Sequence, residues 1–263
     1  MPELPDVAGF RNYLNATALH QRIGRTSIRD RRLTRGASPQ TIARRLKGRA
    51  LEETDRHGKF LFARVGDAGW LVLHFGMTGQ LAYYHDAADE PEHARMVLAF
   101  ENGRRLAYVN QRRLGRIDFA DDPAEFAEAE GLGPDALDPD LGRAEFVERL
   151  SGRRGMVKPA LMNQKIIAGI GNVYSDEILF QAGRHPTTPV DDLSDDDLAE
   201  LFRITRRVLR VASDRLADVD RFPRGYLLRR RGEGEACPAC GGALRKLTVS
   251  GRSAIFCPTC QPA

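Results

Sequence analysis

The tightest constraint on this chain lies near its C-terminal end. Cys237-Pro238-Ala239-Cys240 and Cys257-Pro258-Thr259-Cys260 are separated by sixteen residues, and no other cysteines occur. A CxxC knuckle bends two thiolates toward one point, and two knuckles at this separation complete a tetrahedral shell around a single zinc ion. Four thiolates leave no open coordination position, so the expected metal is structural. Leu244–Val249 and Arg252–Phe256 would form the hairpin between the knuckles, turning at Ser250-Gly251 and holding Arg252 out beside a rigid tip.

The opposite end offers chemistry instead of architecture. In Met1-Pro2-Glu3-Leu4-Pro5-Asp6, removal of Met1 would leave Pro2 with a free secondary amine. An α-amino group titrates near ~8, so part of it is unprotonated and nucleophilic at neutral pH. Attack on a sugar carbon would give an iminium that activates the neighbouring C–H bonds for elimination, and the Glu3 carboxyl could move the protons. Taken alone, six such residues carry little weight, because many chains begin this way.

Formal net charge is only +4, but the charges are segregated. From Arg29 to Arg49 eight basic residues face one acid, and a second basic stretch runs from Arg203 to Arg231. Acids collect in 121–130 and 191–197. Such a distribution suits a polyanion on one face, or simply solvated helix surfaces. No apolar run approaches the roughly 18 residues of a membrane span, and the N-terminus lacks a signal-peptide core. A cytoplasmic, nucleoid-associated location is the expectation.

Between the two ends the period changes once. Val7 to Thr17 reads as a short helix, Ile23–Ile28 as a strand, and Ser38–Leu46 as a capped helix. From Leu51 to Phe119 the pattern is strand-like, with a tight turn expected at Asn102-Gly103, which points to an antiparallel sandwich. The stretch from Phe119 to Asp140 is acidic and punctuated by Pro and Gly, and its end reads as a linker. Helices follow at Arg143–Leu150, from Lys158, and from Asn172 after a stop at Gly169 and Gly171. Ser194 and Asp197 form a capping-box pattern ahead of an apolar stripe running from Leu198 to Leu216. The expected domains are 1–133, a linker at 134–142, a helical domain at 143–229 and a zinc finger at 230–263.

Several residues in this frame could touch a nucleic acid. Lys59 could meet a phosphate or be an ordinary exposed strand lysine. Met77, in a Gly-Met-Thr-Gly turn, could project outward or fill a core. Arg112 and Leu114 sit in a polar loop, where an arginine and an apolar wedge could replace an extruded base. The start of the helix at Asn172 offers backbone N–H groups and an amide side chain to a phosphate oxygen, or is a plain helix cap.

Taken together, these stretches resemble the formamidopyrimidine-DNA glycosylase/endonuclease VIII family. The matching motifs are Met1-Pro2-Glu3-Leu4-Pro5, Lys59-Phe60-Leu61, His74-Phe75-Gly76-Met77-Thr78-Gly79, Arg112-Arg113-Leu114-Gly115, Gly169-Ile170-Gly171-Asn172-Val173-Tyr174 and the four cysteines. The resemblance implies an α+β chain: an N-terminal β-sandwich with flanking helices, a helix–two-turn–helix domain and a zinc-finger β-hairpin. It implies a bifunctional glycosylase and abasic-site lyase of base excision repair, acting on double-stranded DNA with damaged bases or abasic sites, through a flipped-out nucleotide. Pro2 and Glu3 would do the chemistry, with Lys59 and Arg252 at the reacting sugar and its phosphates. Asn172 and Lys158 would contact DNA, and Met77, Arg112 and Leu114 would fill the vacated space. One structural zinc is the only cofactor required, and a monomer suffices.

The match is closer to the formamidopyrimidine branch, with departures. Asp6 stands where that branch usually has Glu, Gln111 replaces a proline, and Leu114 a phenylalanine. The short, arginine-rich segment between Leu216 and Cys237 lacks the usual glycine-threonine run. An oxidised pyrimidine or ring-opened purine is therefore as defensible a substrate as 8-oxoguanine. A non-catalytic damage-binding clamp, or a zinc-ribbon adaptor with an incidental N-terminus, would be the rival functions.

Overall fold

Short, largely apolar strands, such as Phe60–Arg64 and Trp70–His74, build the first half of the molecule. The computed structural model describes residues 1–263. In chain order its helices and strands are α1 (Leu4–Thr17), β1 (Ile23–Ile28), α2 (Pro39–Leu46), β2 (Thr54–His57), β3 (Phe60–Arg64), β4 (Trp70–His74), β5 (Gly79–Tyr84), β6 (Ala94–Phe100), β7 (Arg105–Asn110), β8 (Arg116–Ala120) and α3 (Pro123–Ala129). There follow α4 (Arg143–Leu150), α5 (Val157–Met162), α6 (Asn172–Gln181), α7 (Asp195–Asp214), β9 (Arg245–Val249) and β10 (Arg252–Phe256). The chain divides into two compact units, one of Met1–Pro2 with Asp6–Glu130 and one of Glu3–Pro5 with Gly131–Ala263. No helix is long and apolar enough to cross a membrane.

The first unit is an antiparallel sandwich of two four-stranded sheets, ordered β1-β6-β7-β5 and β2-β3-β4-β8. Met96, Leu98, Phe100, Leu106 and Tyr108 of one sheet share a core with Leu61, Ala63, Leu71, Leu73 and Ile117 of the other. The intervening Val97, Ala107 and Val109 point to the outer face, as a period of two requires. Asn102-Gly103 turns β6 into β7, with Gly103 at φ 86°.

Two local outcomes differ from the sequence expectation. Helix α1 starts at Leu4 instead of Val7, because Pro5 falls in the first turn, where its missing N–H has no partner to lose. The acidic stretch, in which no helix was expected, contains α3 ahead of the linker at its end; α3 is capped by Asp122, whose carboxylate accepts from the N–H groups of Ala124 and Glu125. Its Phe126 packs edge-on against Phe60 and Phe62, at 5.3 and 5.6 Å between ring centres.

The second unit is helical around the stripe on α7. Leu198, Leu201, Ile204, Val208, Leu209 and Ala212 are buried against α4, α5 and α6, each Leu or Ile contributing roughly 1.5–3 kcal/mol by leaving water. Both halves of the Ser194–Asp197 capping box are formed. The stripe stops sooner than expected: α7 ends at Asp214, and Leu216 lies beyond it at φ 56°, exposed. The β9–β10 hairpin closes over a small core of Phe180, Leu227, Leu244 and Ile255 beside the cysteines.

Candidate nucleic-acid site

Of the glycines before α6, Gly171 leaves room for the Glu3 carboxyl and Gly169 for the Leu4 side chain. Gly169 holds φ 111°, and the chain then enters α6 with the N–H groups of its first turn directed at Glu3. Glu3 Oε2 accepts from Gly171 N at 2.7 Å and Tyr174 N at 3.2 Å, and Oε1 accepts from Val173 N at 2.7 Å. Leu4 N donates to Gly169 O at 3.1 Å, which fixes the adjoining backbone. Only acceptor capacity faces these donors, the pattern of an ionised carboxylate at the positive end of a helix. Glu3 is buried, and Pro2, its covalent neighbour, is half-buried behind an exposed Met1.

This arrangement changes one expectation. The N–H groups at the start of α6 were candidates for a phosphate, but Glu3 occupies three of them. The Asn172 side chain is the group left over. Its Oδ1 is buried without a hydrogen-bond partner, and its amide nitrogen donates to nothing within the protein.

Lys158 also differs from expectation. It was expected to face DNA, yet it is 1% exposed, with Nζ donating to Asp176 Oδ1 at 2.5 Å, Ser175 Oγ at 3.0 Å and Asn172 O at 3.1 Å. Burial pushes its pKa down, while the Asp176 carboxylate pulls it up. The ammonium serves the helix start from beneath. At the surface instead stands Arg252, the first residue of β10, after a turn with both Ser250 (φ 47°) and Gly251 (φ 76°) left-handed. Its guanidinium has no partner in the protein, and it lines a pocket of about 280 Å³ with Lys158, Met162, Asn163 and Ser250.

In the sandwich unit three expected residues come together on two loops. Met77 is 42% exposed, Leu114 is 52% exposed, and Arg112 is exposed beside them in sequence. Arg112 N donates to Thr78 Oγ1 at 3.1 Å, tying one loop to the other. Beneath them Asn110 is fully buried: its amide donates to Phe75 O and Tyr108 Oη, and its Oδ1 accepts from Leu114 N at 3.3 Å. Gly76 passes so close to Leu114 that a Cβ there would lie 2.4 Å from its carbonyl carbon. Asn110 was not singled out in the sequence, where only its place before an arginine-rich loop hinted at a role.

Lys59 sits in the β2–β3 turn, after Gly58 at φ 56°, and is buried rather than an exposed strand lysine. Its charge reaches His74, whose pKa is held down to about 4 by burial first and then by Lys59, Arg116 and Arg35. His74 is therefore neutral, with Nδ1 accepting from Gly76 N at 3.3 Å at the base of the Met77 loop.

The four cysteines fit one metal ion. All four Sγ atoms lie within 4.8 Å of one another, with Cys237–Cys260 at 3.8 Å and Cys240–Cys257 at 3.5 Å. A tetrahedron with zinc–sulfur bonds of about 2.3 Å has edges of about 3.8 Å, whereas a disulfide would need about 2.05 Å. Cys237, Cys240, Cys257 and Cys260 hold one structural zinc, which fixes the hairpin bearing Arg252.

Comparison with known proteins adds the following. Residues 1–117 match the formamidopyrimidine-DNA glycosylase N-terminal domain, residues 132–219 the formamidopyrimidine-DNA glycosylase H2TH domain, and residues 234–263 a zinc finger found in FPG and IleRS. The chain is 35% identical to a formamidopyrimidine-DNA glycosylase of Symbiobacterium thermophilum, over 100% of this chain and 90% of that protein. It is 36% identical to one from Nocardioides sp., over 100% and 95%. Among solved structures it is similar to the Lactococcus lactis formamidopyrimidine-DNA glycosylase non-covalently bound to DNA containing an abasic site. The TM-score there is 0.90 at 25% identity, over 99% of this chain and 100% of that one. The same enzyme with DNA containing N7-benzyl-Fapy-dG gives 0.90 at 26%, over 100% of both.

Proposed function

The chain belongs to the formamidopyrimidine-DNA glycosylase family, and we propose that it excises oxidised or ring-opened bases from duplex DNA and then cleaves the abasic strand. Loss of Met1 frees the Pro2 nitrogen. That nitrogen attacks C1′ of the extruded nucleotide, the base leaves with a proton, and an iminium links Pro2 to the opened sugar. Removal of a C2′ proton expels the 3′ phosphate, and a second elimination expels the 5′ phosphate. Water then releases the sugar fragment and restores the amine.

The observation that carries this proposal is the Glu3 cradle. A carboxylate held as an acceptor by three N–H groups, one residue from the nucleophile, supports a role for Glu3 in taking and returning protons at the sugar ring. In this proposal Lys59, Asn172 and Arg252 meet phosphates. Met77, Arg112 and Leu114 occupy the space the base leaves, at a few kcal/mol of lost stacking that damage lessens. Lys158 acts through the start of α6 instead of touching DNA. In this proposal the protein works on DNA at the nucleoid and acts as a monomer.

A non-catalytic clamp is not favoured, since nothing in such a clamp needs a buried carboxylate beside residue 2. The test is cleavage of duplexes bearing 8-oxoguanine, formamidopyrimidine, thymine glycol, dihydrouracil or an abasic site. Excision of at least one base, with strand ends of the elimination type, is expected. Binding to all five without any cleavage would overturn the enzymatic proposal.

A further inference from the structure

The Asp176 carboxylate accepts four hydrogen bonds. It is fully buried on α6, four residues after Asn172. Oδ1 accepts from Lys158 Nζ at 2.5 Å. Oδ2 accepts from Arg231 Nε at 2.9 Å, Arg231 Nη2 at 2.6 Å and Ile255 N at 3.2 Å. One carboxylate thus joins four pieces of chain: α5 through Lys158, α6 itself, the segment entering the zinc finger through Arg231, and β10 through Ile255. Two of those pieces carry the side-chain donors left unpartnered, Asn172 at the start of α6 and Arg252 three residues before Ile255.

We infer that Asp176 is a positioning residue that sets the spacing between Asn172 and Arg252, so that both engage the phosphates of one bound strand. The inference rests on the DNA reading of those two residues. Zinc makes the hairpin rigid but does not say where it stands on the helical core. The Asp176–Ile255 and Asp176–Arg231 bonds do. Two cations share a single buried anion, so removing that anion leaves Lys158 and Arg231 facing each other uncompensated, and the hairpin and α5 separate. Glu3 is held directly by the N–H groups of Gly171, Val173 and Tyr174, and Asp176 reaches that cradle only indirectly, through Lys158 and Asn172 O.

The test uses the full-length, zinc-loaded protein and a duplex carrying a tetrahydrofuran abasic analogue, which binds but has no aldehyde to react. Asp176→Asn is expected to raise Kd at least tenfold, while the single-turnover cleavage rate on a natural abasic duplex at saturating protein stays within threefold of wild type. Arg231→Gln keeps the Lys158–Asp176 pair and is expected to raise Kd severalfold, with Arg231→Lys recovering part of the loss. The double variant is expected to bind no worse than Asp176→Asn alone, since both act on one contact. Should Asp176→Asn fail to fold, the two Arg231 variants decide. Kd within twofold of wild type for Arg231→Gln, with zinc retained, overturns the inference, as does a fall in the saturating rate as large as the fall in affinity. A wild-type protein that neither binds nor cleaves the abasic duplex defeats the DNA reading itself.

Discussion

Gly171 lies so close to the Glu3 carboxyl that a Cβ placed on it would stand 2.3 Å from Cδ and 2.5 Å from Oε1. Real Cβ atoms do not approach that near, so even a methyl group must drive the carboxylate out of its cradle. The backbone at Gly171 (φ −128°, ψ −158°) is open to any residue, which makes the effect steric and nothing else.

Gly171→Ala is accordingly expected to fold with its zinc and to lose lyase rate by about 10²-fold or more, the usual share of a positioned proton-transfer group. Single-turnover cleavage of an abasic duplex measures it. A wild-type rate in this variant would mean that Glu3 needs no such support.

Cys260→Ser removes one of the four thiolates and should release zinc, since three thiolates and a hydroxyl hold it poorly. Duplex affinity should fall at least tenfold as Arg252 loses its rigid hairpin. The sandwich and the helical core, which bury their own clusters, should keep their secondary structure. Metal content, anisotropy binding and circular dichroism together check this.

Leu114 touches little of its own protein, so Leu114→Ala should change stability by less than about 0.5 kcal/mol. On a damaged duplex it should nevertheless weaken binding, and Leu114→Phe should strengthen it, because stacking on a base is worth about 1–3 kcal/mol. Equal Kd values for Ala, Leu and Phe at this position would remove Leu114 from the DNA interface.

Proton linkage gives a further expectation. His74 is held at about 4 in the fold against 6.5 when unfolded, so below pH 6.5 the unfolded chain takes up the proton first. The stability tied to neutral His74 is complete above pH 6.5 and is lost as pH falls toward 4, by on the order of 3 kcal/mol in all. Glu177, buried and pushed up to about 7, acts the opposite way, its contribution fading as pH rises from 4.5 to 7. Comparison with His74→Asn separates the two: thermal stability of wild type should fall more steeply between pH 6.5 and 4 than that of the variant. Parallel curves would show that His74 does not titrate in this window.

Where a signal was local, the sequence was readable. Two CxxC knuckles, the Ser194 capping box, the helix start at Asn172 and the left-handed pair Ser250-Gly251 each owe their geometry to neighbours within a few residues. Long-range partners were not readable. Nothing near Glu3 announces Gly171, 168 residues away, or that three N–H groups expected to meet phosphate are already taken. Lys158 looked like a surface cation because Asp176 and Ser175, which hold it inside, belong to another element. Helix α3 was missed although Asp122-Pro123 is a good helix start, since the acids and prolines around it dominate the composition.

The most direct test of the central claim is to locate the covalent bond. The protein would be incubated with an abasic-site duplex, reduced with borohydride, digested and mapped by mass spectrometry, alongside an intact-mass measurement. The account predicts a reduced sugar adduct on the Pro2 nitrogen of protein that lacks Met1. An adduct on a lysine such as Lys59, or none from protein shown to begin at Pro2, would contradict it.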